Sequence, residues 1–361
     1  MGAAAWSAAA LRPSHAHGIA QPPQPGRINF AAIGLNHGHI YGQVDAVVGG
    51  GGRLVSFFAS EPDLAAAFRK RYPNAALARS EQNILDDPDV QLVVSAAIPN
   101  ERAPLGVRVM QHGKDFMSDK PAATTLEQLS EVRRVQRDTK RIYSVLLERH
   151  EHRATARAGE LVKAGAIGRV LQTLSTGPHR MNPKTRPAWF FVREQYGGIL
   201  CDIASHHVDQ FLFFTGSTKV EIAASQVGNL HHPEYPGLED FGDVMLRGDG
   251  GTGYIRVDWF TPAGLSTYGD GRLTILGTEG YIEVRKTVDL AGRSGGNHLF
   301  LVDEKEARYI DCNDVTLPYG RRLVDDVLNR TETANPQEQT FLAMEVALRA
   351  QGGAERLQLR S

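Results

Sequence analysis

The sequence predicts a two-domain α/β protein. A parallel sheet wound by helices on both faces comes first, and an α/β domain with an open, mostly antiparallel sheet follows. Three observations predict this. Apolar runs of strand length alternate with helical runs, through short connections, from Arg27 to about Glu148. Longer β-rich runs joined by Gly turns then fill the stretch from Val220 to Asp303. The chain has 361 residues, which at roughly 150 per domain makes about two domains.

The elements follow in order. Ile28 to Ile33 is a buried strand running into the loop "GLNHG", and a helix is expected from about Gly38 to Val48. Four glycines lead to a second strand, Arg53 to Phe58, and "PDLAAAFRKRYP" is an Ala-rich helix closed by Pro73. "DVQLVVSAAI" is a third strand, and "PNERAPLGVRVMQHG" is a helix ending at Gly113. "KDFMSDKPAA" is a short strand and turn, "TLEQLSEVRRVQRDTK" an amphipathic helix, and "IYSVLL" a further strand. Beyond it, "ATARAGELVKAGAIG" is helical, and "GGILCDIASHHVDQFLFFTG" reads as one helix between glycines. The closing helix, "NPQEQTFLAMEVALRAQ", has apolar positions at helical spacing and is free to pack back on the first domain. These runs place the domains at 27–148 and 149–361. Residues 1–26, Ala-rich and then Pro/Gln-rich, read as a disordered leader or an export-signal remnant without the charged start. A cytoplasmic location is expected, with the periplasm as the alternative if a signal start lies upstream of Met1.

Composition removes several classes. The formal net charge is −1 and no long basic run occurs, so neither nucleic acid nor an anionic membrane is expected as main partner. Cys201 and Cys312 are the two cysteines, too few for a disulfide framework, and no CxxC pair points to structural zinc. No run of 18 apolar residues is present, so no membrane span is expected.

Three motifs carry chemistry. The first is "GLNHGHIYG", a strand–loop–helix turn of the kind that holds a dinucleotide pyrophosphate. Gly34 fits the first glycine of the G-x-G-x-x-G fingerprint. Asn36 stands at the second, and His39 or Gly38 at the third, while His37 is expected to line the cleft. The second strand ends in Ser60 and Glu61; Glu61 can reach a ribose and favour NAD, and Ser60 leaves NADP possible. Pro99 and Asn100, which open the helix after the third strand, are placed with the cofactor. The second motif is Lys120-Pro121 at a strand edge, where proline restricts the geometry of the lysine and aims it at the crevice. The third is the apolar helix carrying Asp202 and His206 four residues apart on one face. Asp209 lies further along that face, and His207 points about 100° away.

In order and spacing, "GLNHGHIYG", "DKP" and "GGILCDIASHH" resemble the Gfo/Idh/MocA oxidoreductase family, over the chain from about Arg27 to its end. The runs "RVDWFTP", "GDGRLTILGTEGYIEVRK" and "RTETANPQEQTFLAMEVALRAQ" look like the branch linked to trehalose and related sugar catabolism. The resemblance implies a Rossmann domain followed by an α/β domain with an open antiparallel sheet. It also implies an NAD(P)-dependent dehydrogenase acting on a sugar or polyol hydroxyl. By the same resemblance, Lys120 contacts the nicotinamide and the substrate hydroxyl, and Asp202 and His206 form the D-x-x-x-H pair. His206 would be the general acid/base, tuned by Asp202. Asp119 stands where the family has Glu. Substrate contacts are expected from Arg180, Arg186, His207 and Trp189, on whose ring a sugar could stack. His37 and His39 form an H-x-H without Cys or carboxylate companions at ligand spacing, so no metal is expected. "GYIRVDWF" offers a surface for a homo-oligomer. Two other functions fit the scaffold: a glycoside hydrolase that retains NAD, and a non-catalytic nucleotide-binding protein.

Overall fold

The computed structural model describes residues 27–358, so the expected leader, residues 1–26, lies outside the described residues. The first sheet has six strands: β1 (Ile28–Ile33), β2 (Gly52–Phe58), β3 (Ala76–Leu77), β4 (Leu92–Ser95), β5 (Asp115–Ser118) and β6 (Tyr143–Val145). They lie parallel in the order β3-β2-β1-β4-β5-β6. Helices cover both faces, so successive residues such as Phe30, Ala31 and Ala32 are all buried, as a doubly covered sheet requires. The strand order reverses between β1 and β4. A crevice therefore opens at their carboxyl ends, the place where such sheets hold ligands.

The second sheet has nine strands: β7 (Val170–Pro178), β8 (Val220–Gly228), β9 (Phe241–Gly248), β10 (Thr252–Asp258), β11 (Arg272–Gly277), β12 (Gly280–Arg285), β13 (His298–Asp303), β14 (Ala307–Asp311) and β15 (Glu355–Arg356). Their order is β14-β13-β12-β11-β7-β10-β9-β8-β15. Pairing is antiparallel except at β7–β10 and β8–β15. Inward residues such as Ile255, Val257, Leu273 and Ile275 are buried, while Leu174 and Met245 on the other face are exposed. The sheet is thus covered by helices on one side only.

Two segments tie the halves together. The helix Gln337–Gly352 lays Ala343, Val346 and Ala347 on the core of the second domain. It also reaches the first: the Gln337 side chain accepts from the Tyr143 backbone N–H at 2.8 Å, and Glu345 pairs with Arg133 at 2.6 Å. The helix Tyr319–Asn329 is an element that the sequence analysis does not place, although its buried Tyr319, Leu323, Val324 and Val327 recur at helical spacing. Its Tyr319, Leu323, Val324 and Val327 join Phe30, Val44 and Val47 in one core. The first core is therefore built from two stretches of chain, which a boundary at 148 does not convey. Among the described residues, no helix is long and apolar enough to cross a membrane.

Candidate functional site

The site begins where β1 turns into the helix His39–Gly49. Gly34 holds φ +74°, and a Cβ there would stand 2.5 Å from the Cβ of Ala97. Only glycine lets the two carboxyl ends of β1 and β4 approach this closely. Gly34→Ala is expected to destabilise the protein by about 1–3 kcal/mol, and to weaken nucleotide binding at least tenfold. Thermal denaturation and a nucleotide titration check this, and an unchanged midpoint with unchanged affinity would refute it. Beside the loop, Asn36 Nδ2 donates to Glu61 at 2.6 Å and Ser60 Oγ donates to Glu61 at 3.0 Å. Glu61 thus stands at the tip of β2, fixed by its neighbours. Pro99 and Asn100 open the helix Pro99–Gln111; Pro99 lines the central cavity, and the buried Asn100 Oδ1 has no partner among the described residues. An orphaned acceptor, a turn without room for a side chain and an aimed carboxylate at β2 together fit a bound dinucleotide.

Asp119 is the hub of the next layer. It ends β5 and is buried. Its carboxylate takes His37 Nδ1 at 2.8 Å, His39 Nδ1 at 2.9 Å, the Lys120 backbone N–H at 2.8 Å and Arg102 at 2.9 Å. Burial alone would raise its pKa, but the Arg102 guanidinium and the two imidazoles hold it well below the ordinary range. An ionised carboxylate only accepts, so each imidazole carries its proton on Nδ1. These three side chains bring potential metal-ligating atoms within 4.8 Å of one another, and the contacts they make are hydrogen bonds. Arg102, missed in the sequence, is fully buried and also donates to the backbone carbonyls of Ala97, at 2.7 Å, and Lys120. It clamps the turn on which Lys120 sits; the Lys120–Pro121 peptide bond is cis.

Lys120 Nζ lies 2.7 Å from Asp202 Oδ1, with both side chains only 10% and 13% exposed. The expected single helix is not one regular helix. Leu200–Ala204 form a π-helical turn, and the α-helix proper is Ser205–Thr215. A turn of four to five residues still leaves Asp202 and His206 on one face, and both line the same cavity. Each has a different partner there: Asp202 pairs with Lys120, and His206 Nδ1 accepts from the Glu148 backbone N–H at 3.0 Å. The expectation that Asp202 tunes His206 is corrected accordingly. Burial, with the Lys120 cation second, pushes His206 well below its usual pKa. Its imidazole is neutral with the proton on Nε2. Asp209 does not extend the pair either; it binds Arg149 at 2.8 Å in the core.

Lys120, Asp202 and His206 meet at a cavity of about 310 Å³. Its nucleotide-side wall includes His37, His39 and Pro99, and its far wall His179, Arg186, Trp189, Trp259 and Tyr268. Glu148, not anticipated, forms part of it and is held by the buried Lys286 and by Gln210 at 3.0 Å. Burial would raise the Glu148 pKa, but Lys286 overrides this and holds it well below the ordinary range. Trp189 is largely buried and lines the cavity with one edge, 5.9 Å from His37 between ring centroids. Two expected contacts are elsewhere. Arg180 donates to the carbonyls of Pro262 at 3.1 Å and Thr267 at 3.1 Å, so it braces a loop instead of facing the cavity. His207 is buried against β7, where a Cβ at Gly177 would stand 2.4 Å from its Nε2. His150, half-buried, contacts Asn335 and Tyr319 away from the cavity, whereas His152 lines it.

Burial leaves several histidines neutral. It pushes His37 and His179 down to about 4 and His207 to about 3. Unfolded, each would take a proton near 6.5, so each stabilises the fold fully above that pH and progressively less below it. The loss is at most about 1.4 kcal/mol per pH unit per buried histidine, and less for the half-buried His37 and His179. The midpoint of thermal unfolding is therefore expected to fall between pH 7.5 and pH 5. A flat profile would contradict the burial of these groups.

Comparison with known proteins agrees with this geometry. A family model for the NAD-binding Rossmann fold of the GFO/IDH/MocA oxidoreductases matches residues 28–147, and one for the GFO/IDH/MocA C-terminal domain matches residues 155–283. A proposed oxidoreductase of known structure from Erwinia carotovora atroseptica SCRI1043 is 46% identical, with a TM-score of 0.89 over 92% of this chain and 100% of that one. Levoglucosan dehydrogenase of Pseudarthrobacter phenanthrenivorans is 28% identical over 203 residues, 55% of this chain and 52% of that protein. The NAD(+)-dependent scyllo-inositol 2-dehydrogenase of Bacillus subtilis is 25% identical over 205 residues, 55% of this chain and 56% of that protein. The matched part thus spans about half the length of these curated relatives.

Proposed function

As the chain belongs to the Gfo/Idh/MocA oxidoreductase family, NAD-binding proteins of Rossmann fold, we propose that it exchanges a hydride between a nicotinamide and a hydroxyl-bearing carbon of a sugar or polyol. The observation that carries this reading is the Lys120–Asp202 pair at 2.7 Å, set in a cavity beside the switch point of the parallel sheet. Bound there, the cofactor supplies or accepts the hydride. Lys120 donates a proton to the substrate oxygen as a carbonyl is reduced, and takes it back when the alcohol is oxidised. Asp202 holds the Lys120 ammonium at that oxygen. His206 has its Nδ1 occupied by the Glu148 N–H, so it presents Nε2–H as a hydrogen-bond donor that orients the same oxygen. In this reading His206 is not the general base. His206→Asn keeps a donor and should cost about tenfold in kcat, with no change in the shape of the pH–rate profile. Loss of an inflection from the acidic limb of the profile in this variant would restore His206 as the acid/base.

NAD is the preferred nucleotide in this reading, because the Glu61 carboxylate suits a ribose diol and would repel a 2′-phosphate. Calorimetric titration with NAD and NADP, followed by a sugar and polyol panel at saturating nucleotide, tests the proposal. Nucleotide binding with turnover supports it; hydrolysis without net nucleotide reduction points to a glycosidase; no binding of either nucleotide overturns it. We also propose a homo-oligomer through the open sheet. There Tyr254 has Leu174 and Met245 as cross-strand neighbours, an exposed apolar row. Sedimentation of Met245→Glu against the wild type tests this, and a monomeric wild type would sink it.

A further inference from the structure

We propose that this cavity selects sugars bearing a carboxylate, and that Arg186 is the group that binds it. The inference rests on the oxidoreductase reading and deepens it. Apart from Glu151, the other strong charges of the cavity pair off: Arg102 with Asp119 at 2.9 Å, Lys120 with Asp202 at 2.7 Å, and Glu148 with Lys286. Arg186 forms no ion pair among the described residues. Its Nε donates to the Met181 carbonyl at 2.9 Å, and one terminal nitrogen donates to the Arg180 carbonyl at 3.2 Å and to the Tyr268 hydroxyl. These acceptors are neutral, so they fix the guanidinium without cancelling its charge. The second terminal nitrogen has no protein partner among the described residues.

The surroundings sharpen the charge. The guanidinium lies 4.4 Å from the centroid of Phe190 and 4.9 Å from that of Trp259, two rings only 5.0 Å apart that form an aromatic wall on one side of it. Glu151, the remaining wall carboxylate, sits at the other end of the cavity. Its Oε1 would be 4.0 Å from a Cβ at Gly42, on the first helix of the nucleotide domain. Next to Arg186, His179 donates its Nδ1–H to the Gly177 carbonyl at 2.9 Å, which leaves Nε2 as an acceptor for a hydroxyl. This end of the cavity thus offers one uncompensated positive charge, one hydroxyl acceptor and aromatic walls. That set matches a polyhydroxylated monoanion. A phosphate dianion would leave a surplus negative charge beside a single cation. Planar guanidinium and planar carboxylate also match as a bidentate pair.

The test uses the full chain and matched pairs: D-glucose with D-glucuronate, D-galactose with D-galacturonate, and D-glucitol with D-gluconate, plus D-glucose 6-phosphate. Both kcat/KM at saturating nucleotide and calorimetric binding are read. At least one acid is expected to exceed its neutral partner tenfold or more. Arg186→Gln should reduce that ratio at least tenfold, and Arg186→Lys, which keeps the charge but loses the bidentate fork, should fall between Gln and the wild type. The inference is overturned if no pair shows an acid preference by either readout, if the ratio survives in Arg186→Gln, or if the phosphate ester outranks the carboxylates. Turnover of neutral sugars without acid preference would remove the inference and leave the oxidoreductase reading standing. Binding of an acid that depends on Arg186, with no nicotinamide turnover, would do the reverse.

Discussion

Lys120→Met lowers kcat by about 10³-fold, because general acid catalysis and stabilisation of the developing alkoxide are removed together. Nucleotide affinity should change far less, since the turn at Gly34 and the carboxylate of Glu61 remain in place. Steady-state kinetics with the best sugar, beside a nucleotide titration, give the comparison. Lys120→Arg separates the two contributions. Its guanidinium keeps the charge but does not release a proton, so it should stay nearly as slow as the methionine variant. An arginine variant close to the wild type would mean that charge alone is needed, and the proton transfer would have to be assigned elsewhere.

The largest effect on stability is expected at Asp119. Asp119→Ala leaves Arg102 fully buried with no carboxylate, a change that costs about 3–5 kcal/mol in comparable cases. It also frees His37 and His39, so the nucleotide loop loses its anchor as well. Thermal unfolding should show a drop on the order of 10 °C. The pH dependence has a definite sign. Asp119 has its folded pKa depressed below an ordinary value of 3.8, so its contribution is complete above that pH and is lost as pH falls further. The difference between wild type and variant should therefore shrink below about pH 4. A variant as stable as the wild type at neutral pH would show that Arg102 is held by its carbonyl acceptors alone.

The parts of this protein that were legible in its sequence are the local ones. Ile28–Ile33, Lys120-Pro121 and the Gly-bounded apolar segment all announce themselves within a few residues, and each is found at the site. The spacing of Asp202 and His206 puts both at the cavity, but it carries no sign that Asp202 pairs with Lys120, 82 residues away, or that His206 accepts from Glu148, 58 residues away. Asp119 lies 82 residues from His37 in the chain, and Glu148 lies 138 from Lys286. No periodic pattern links such positions; only the closed fold brings them together. Nothing near Arg180 in the chain shows that its guanidinium is occupied, because its three carbonyl acceptors come from a loop over 80 residues away.

The helix Tyr319–Asn329 has a consequence for how the chain comes off the ribosome. Its Leu323, Val324 and Val327 share a core with Phe30 of the first sheet and Val44 of the helix His39–Gly49. All six strands of that sheet have been made by Val145, but the core that this helix completes stays partly uncovered until about Val327 has emerged. At 5–20 residues per second that gap lasts roughly 10–40 s. During it the nascent nucleotide-binding half exposes apolar surface that no later step of its own can hide. Its folding is therefore tied to completion of the polypeptide, and a truncated product ending in the second sheet would carry a first domain with an open core.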